Sequence, residues 1–518
     1  MQSTGRSTVF SDSKAYDVFK QTRNKLQKFR PEEIVSECVR ALMRHDATTI
    51  ERMRQVPPWY LFLLIKWAIL HGDYLSPNRR HLQPSDFGSL VNLLHDLCDA
   101  IGAKRNFNLL LGIRHHAFQQ FWLQEKSVVP RLARQSILFG NLDPAHSFCK
   151  DFLTQTGVAL SDFIDLAIVL LVHFVLDEGT FVTEAWFRTV RHSYPPDAVT
   201  AFLRTLARDI PSLKQCLQEV QKTRQSVSYE FFEQTPLKRY PLLRSGDRYF
   251  CYSRNLLYHA LQTFIYDTLR AKDPSAFMDK FGRIFEKYVE RAISNSGLCY
   301  INEDRLRANL GPQGKLTDFL VLDGKARVFI DAKGVDVGYL GMVSDIPEVI
   351  RDRAGNSILK AIEQGYDTAS RISGLSEVAG IPIVDGENYL LVVTFKDLYL
   401  GNGTNFYQYV AKDKIEEITA GYAGGALIPL EHMYFVSIDD LDILAQGIKD
   451  KQLSLDALLR RAVESDRNPL TMEFIFRDHI FSHCSTIKEP PYLKDEFSAI
   501  FERIKCQIQA ESSGVPPR

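Results

Sequence analysis

Cysteine is sparse and unpaired in this sequence. Eight cysteines are scattered over 518 residues, at Cys38, Cys98, Cys149, Cys216, Cys251, Cys299, Cys484 and Cys506. No CxxC pair occurs, which excludes a zinc ribbon and a thioredoxin-like redox motif. Scattered thiols fit a reducing compartment better than a disulfide framework. Long apolar runs are missing as well. The two longest, Trp59–Leu70 and Phe163–Leu176, carry Lys66 in the first and Asp165 and His173 in the second. Both are shorter than the ~20 residues of a spanning helix. The polar start, MQSTGRSTVFSDSK, lacks the apolar stretch of a signal peptide. The expectation is a cytoplasmic protein with no membrane partner.

Net charge is absent too. Lys+Arg and Asp+Glu both number 63. That excludes binding of polyanions through bulk charge, but leaves room for a local basic groove. Several catalytic signatures are also lacking. Gly421–Gly425 is not followed by the Gly-Lys-Ser/Thr of a P-loop, and no dinucleotide fingerprint or G-x-S-x-G elbow occurs. His115-His116 are adjacent rather than one helical turn apart, and His483-Cys484 has no companions at ligand spacing.

What is present is an ordinary globular composition, 45% hydrophobic and 24% charged, with length for two to four domains. Residues 1–225 read as a helical recognition or interaction region. Glu32–Arg44, Trp59–His71, Asp86–Ile101 and Ser161–Leu176 repeat apolar residues at three-and-four spacing. The texture changes near residue 227. An aromatic, basic stretch suggests a hairpin turning at Ser245-Gly246-Asp247, and Asn255–Arg270 and 277–295 read as helices. Strand patterns follow at Leu316–Leu322, Ala326–Asp331, Tyr389–Thr394 and His432–Ser437, with a helix at Asn356–Ile372 and helices to the C-terminus. The fold class is thus α/β in residues 226–518 and α+β overall, with a mixed central sheet.

The chemistry concentrates in KLTDFLVLDGKARVFIDAKG, residues 315–334. Asp323-Gly324 between apolar runs predicts a two-residue type I′ turn. That register pairs Asp318 with Phe329 and places Asp318, Asp331 and Lys333 on one face, with Asp318 and Asp331 as diagonal neighbours roughly 7–8 Å apart. Carboxylates in such apolar strands are costly unless partnered. A hard divalent cation with oxygen ligands is a suitable partner, and Lys333 adds a cation that can stabilise developing negative charge. Lys238-Arg239-Tyr240 and Arg244–Tyr252 mix cations with aromatics, a pattern that suits either a phosphate backbone or a solvated sheet edge. Asp336 and Asp345 follow the motif in a Gly-rich loop.

These residues resemble the PD-(D/E)XK nuclease superfamily. Leu316-Thr317-Asp318 stands at its first metal-binding Asp and Asp331-Ala332-Lys333 at its (D/E)-x-K. Glu286 matches the acid on the preceding helix and Gln364 the polar residue on the following one. The resemblance covers about residues 277–395. It implies a restriction-endonuclease-like domain in which Asp318, Asp331 and Glu286 hold Mg²⁺ or Mn²⁺. Lys333 would position the attacking water, and Gln364 would contact substrate or place its neighbours. The implied reaction is phosphodiester hydrolysis, on DNA before RNA, in a setting such as anti-phage defence or restriction. The helical region would then recognise a substrate, a protein partner or a second copy. The alternative is a nucleic-acid- or protein-binding module on an inactive nuclease fold.

Overall fold

The computed structural model describes residues 13–45, 55–72, 79–102, 109–124, 129–175, 179–224, 226–422 and 427–512. The polar start up to Asp12, Leu176 and Gly424-Gly425 lie outside them. Among the described residues no single helix is long and apolar enough to cross a membrane.

The first half is dominated by helices. The Pro58–His71 helix is apolar all round, and such a helix belongs in a core. Its Lys66 is buried, and Glu230 and Glu233 accept from its ammonium at 2.8 and 2.5 Å, so the charge that interrupted the run is neutralised. Two short strands also occur before residue 225, a departure from an all-helical reading. β1 (Phe181–Thr183) and β2 (Ala207–Arg208) flank the hairpin of β3 (Leu242–Ser245) and β4 (Arg248–Cys251) in the order β1-β4-β3-β2. Strands of two and three residues are too short to show a period of two.

The larger sheet has five strands: β5 (Cys299–Asn302), β6 (Phe319–Asp323), β7 (Ala326–Lys333), β10 (Glu387–Thr394) and β11 (Met433–Ser437), with a small β8–β9 pair (Glu377–Val378, Ile381–Pro382) between. The order is β11-β10-β7-β6-β5. β5–β6 and β6–β7 are antiparallel, while β7–β10 and β10–β11 are parallel. This is the mixed central sheet, and helices cover both its faces. Phe319, Val328, Ile330 and Leu391 share a core with Phe281, Phe285 and Val289 of the Pro274–Ser296 helix. The alternate residues Leu320, Phe329, Leu390 and Val392 share another with Ile358, Ile362 and Ile372 of the Asn356–Ile372 helix. The first of these cores also takes in Phe163, Phe202 and Leu206 from the helical first half.

The hairpin turn differs from the sequence expectation. The two turn residues are Gly324 and Lys325, because Asp323 pairs with Ala326, and Phe319 pairs with Ile330. Gly324 has φ +55 and Lys325 is not among the positive-φ residues, as a type II′ turn with Gly first requires. The shift is two positions, so each side chain keeps its face. Continued by one residue, the register sets Asp318 directly opposite Asp331 rather than diagonal to it.

Candidate metal centre at the β6–β7 pair

Each side chain of the site is placed by a local rule. Asp273 accepts from the Ala276 amide at 3.0 Å, Pro274 follows at the first helical position, and Gly297 ends the helix at φ +77. This long helix carries Glu286. Asn302, at the end of β5, caps the Glu303–Leu310 helix by accepting from Arg305 N at 3.2 Å, which puts Glu303 in the first turn. Asp318 stands one residue before β6, and its Oδ2 accepts from the Ala332 amide at 2.7 Å.

One carboxylate oxygen each from Glu286, Glu303 and Asp318 lies within 4.8 Å of the other two. Among the described residues this is the one such group of three metal-ligating side chains. Asp318 is 9% exposed and Asp331 not at all. Neither Asp331 oxygen has a hydrogen-bond partner of regular geometry, though Oδ1 is in ion-pair contact with Lys333. Burial pushes the Asp318 carboxyl well above the usual carboxylate range, and Asp331 adds to it. Burial raises Asp331 as well, with Lys333 opposing. Glu286 is raised by burial and then by Glu303. Four acids thus hold one another in a costly arrangement that a divalent cation would relieve. The donors are all hard carboxylate oxygens, and Asp331 Oδ2 is buried without a hydrogen-bond partner, so the residues fit Mg²⁺ or Mn²⁺.

Gln364 is buried, and both ends of its amide are used inside the protein. Lys333 Nζ donates to Oε1 at 2.9 Å, and Nε2 donates to the Leu316 carbonyl at 2.6 Å. One turn on, Thr368 Oγ1 accepts from the Thr317 amide at 2.9 Å and donates to the Gln364 carbonyl at 2.8 Å. The Asn356–Ile372 helix thereby clamps the backbone leading into Asp318 and aims Lys333.

The structure brings together all five sequence candidates, Glu286, Asp318, Asp331, Lys333 and Gln364. Asp331 stands beside the three-carboxylate group rather than within it. Glu303 and Thr368 were missed. The signal for Thr368 is its i+4 spacing from Gln364. For Glu303 it is the Asn302-Glu303 helix start, legible as a cap but not as a ligand. The other acids weighed, Asp336 and Asp345, lie elsewhere: Asp336 is buried in ion pairs with Lys396 and Arg270, and Asp345 is exposed. His115 is buried, with Nε2 3.1 Å from the Ser344 carbonyl, and belongs to packing.

No family model, no curated protein and no solved structure matches this chain.

Proposed function

We propose that the chain is a metal-dependent nuclease that hydrolyses phosphodiester bonds, in DNA before RNA, with Mg²⁺ or Mn²⁺ at the β6–β7 site. The observation that carries the reading is the close approach of Glu286, Glu303 and Asp318 beside the buried Asp331 carboxylate. Glu286, Glu303 and Asp318 would hold the ion, with Asp331 adjoining. When bound, the ion supplies positive charge against the phosphate oxygens of the scissile group.

The chain's own residues do the rest. Lys333 presents an ammonium next to the carboxylates, where it donates to an attacking water or to a phosphate oxygen as negative charge develops. Asp331 and Gln364 hold that ammonium from two sides, so its position is set before substrate arrives. Gln364 is a positioning residue, since its amide is spent on Lys333 and Leu316.

The test is cleavage of plasmid, linear duplex, single-stranded DNA and RNA with Mg²⁺, Mn²⁺ or EDTA. Metal-dependent cutting by the wild type and none by Asp318→Asn or Lys333→Ala, each checked for folding, is the expected result. Cutting that persists in EDTA, or in Asp318→Asn, would reject the assignment. So would failure of the wild type to bind Mg²⁺ or Mn²⁺.

A further inference from the structure

Beyond Lys333 the chain enters a buried polar region that the candidate metal centre does not use. An inner cavity of about 80 Å³ lies between the helical first half and the carboxyl ends of β7 and β10. That is room for a few waters or one small oxyanion. Asp336, three residues after Lys333, and Lys396, two after β10, are on its wall. In open α/β sheets, ligands bind outside the carboxyl ends of the strands.

Two features of this wall call for a ligand. The first is His259. Both its ring nitrogens are buried and neither has a hydrogen-bond partner, while the ring stacks on Trp122 at 4.8 Å and 21°. An imidazole with two buried, idle nitrogens is costly unless something enters to meet them. Burial, and then the neighbouring Lys238, hold its pKa well below the usual value, so it is neutral, with one N–H to donate.

The second is charge. A pocket opening to the surface shares Lys238, Lys396 and Asp336 with the inner cavity. Lys238, Arg239, Arg270 and Lys396 face only two carboxylates there, Asp267 and Asp336. Lys396 occupies both, at 2.7 Å from Asp267 and 2.8 Å from Asp336. Lys238 is left 3.5 Å from Asp267, and Arg270 3.8 Å from Asp336. Arg239 donates to Thr268 Oγ1, lies over the Tyr240 and Phe264 rings, and lines the outer pocket but not the inner cavity. Arg224, on the same wall, is balanced by Glu233 at 2.6 Å. On the far side of the inner cavity Arg131 pairs with Asp439, and Arg134 with Asp439 and Asp442. Four cations, Arg131, Arg134, Lys238 and Lys396, line the inner cavity against three carboxylates, Asp336, Asp397 and Asp439, so one positive charge remains there.

We propose that this cavity is a binding site for a phosphate-class anion, held by Lys238 and the N–H of His259. The anion is inorganic phosphate or the phosphate of a mononucleotide. A nucleic-acid strand is too wide for the inner cavity.

The test is calorimetric titration of the full chain, in EDTA, with inorganic phosphate and with a deoxynucleoside 5′-monophosphate. Saturable one-to-one binding at or below ~1 mM is expected, weakened at least about tenfold by Lys238→Gln and by His259→Phe, each checked for folding. Tighter binding of the mononucleotide would assign the phosphate to a nucleotide. Equal binding would assign it to the free anion. No saturable binding overturns the proposal, as does binding unchanged in both variants. Binding lost in Lys333→Ala but kept in Lys238→Gln would place the anion at the metal centre and also overturn it. Because the readout is binding without metal, it stands or falls independently of the nuclease reading.

Discussion

Lys333 and Gln364 are joined by a 2.9 Å hydrogen bond that ties the last residue of β7 to the helix packed on its face. The same glutamine reaches the Leu316 carbonyl at 2.6 Å, so one side chain fixes both the cation and the approach to Asp318. Gln364→Ala leaves a buried carbonyl and an ammonium short of a partner. A stability loss of about 1–3 kcal/mol is expected, read by urea unfolding. Cleavage should fall while Mg²⁺ affinity stays within a few-fold of wild type. A Mg²⁺ affinity that falls as far as the cleavage rate would show that Gln364 does more than aim Lys333.

Glu303 gives the sharpest test of the ligand set. Its carboxylate also pairs with Arg307 on the helix surface, an interaction worth about 0–1 kcal/mol. Glu303→Gln should therefore fold with near wild-type stability. Mg²⁺ affinity by calorimetry should drop about 10–100-fold, the range seen when groups around a metal site are removed. Unchanged affinity would remove Glu303 from the site.

The opposed carboxylates make a prediction about pH. Asp318 and Asp331 have folded pKa values raised by burial. Above the ordinary Asp value of about 3.9 the unfolded chain releases protons that the folded one retains. Stability contributed by these groups accordingly falls as pH rises toward their folded values. At neutral pH without metal, Asp318→Asn should raise the melting temperature, since Asn keeps an acceptor for the Ala332 amide and removes one charge. Added Mg²⁺ should raise the wild-type melting temperature and leave the variant's unmoved. A variant that melts lower than wild type would contradict the repulsion.

His115 acts in the opposite direction. Burial pushes its imidazole down to about 4 from 6.5, so the folded protein holds it neutral where the unfolded chain protonates. Stability is full above 6.5 and is lost as pH falls to about 4, a loss on the order of 3 kcal/mol. His115→Gln should flatten the stability profile over that window relative to wild type. Parallel profiles would show that the ring is not held neutral.

The sequence by itself determined the elements of the motif and which of its side chains share a face. The period of the Asn356–Ile372 helix, the apolar runs of β6 and β7 and the turn glycine are local signals, and each appears in the structure. Face assignment survived a turn displaced by one residue on each strand, because pleating repeats every two. Tertiary structure decided what local signals do not encode. Glu303 reached the site through the pairing of β5 with β6, and Gln364 turned inward because Lys333 and the Leu316 carbonyl offered its amide better partners than solvent. Lys238 and His259 met at one cavity only when the helical half closed over the carboxyl ends of the sheet. Hydrophobic periodicity is written along the chain. The convergence of polar groups is not, because it depends on which distant elements pack together.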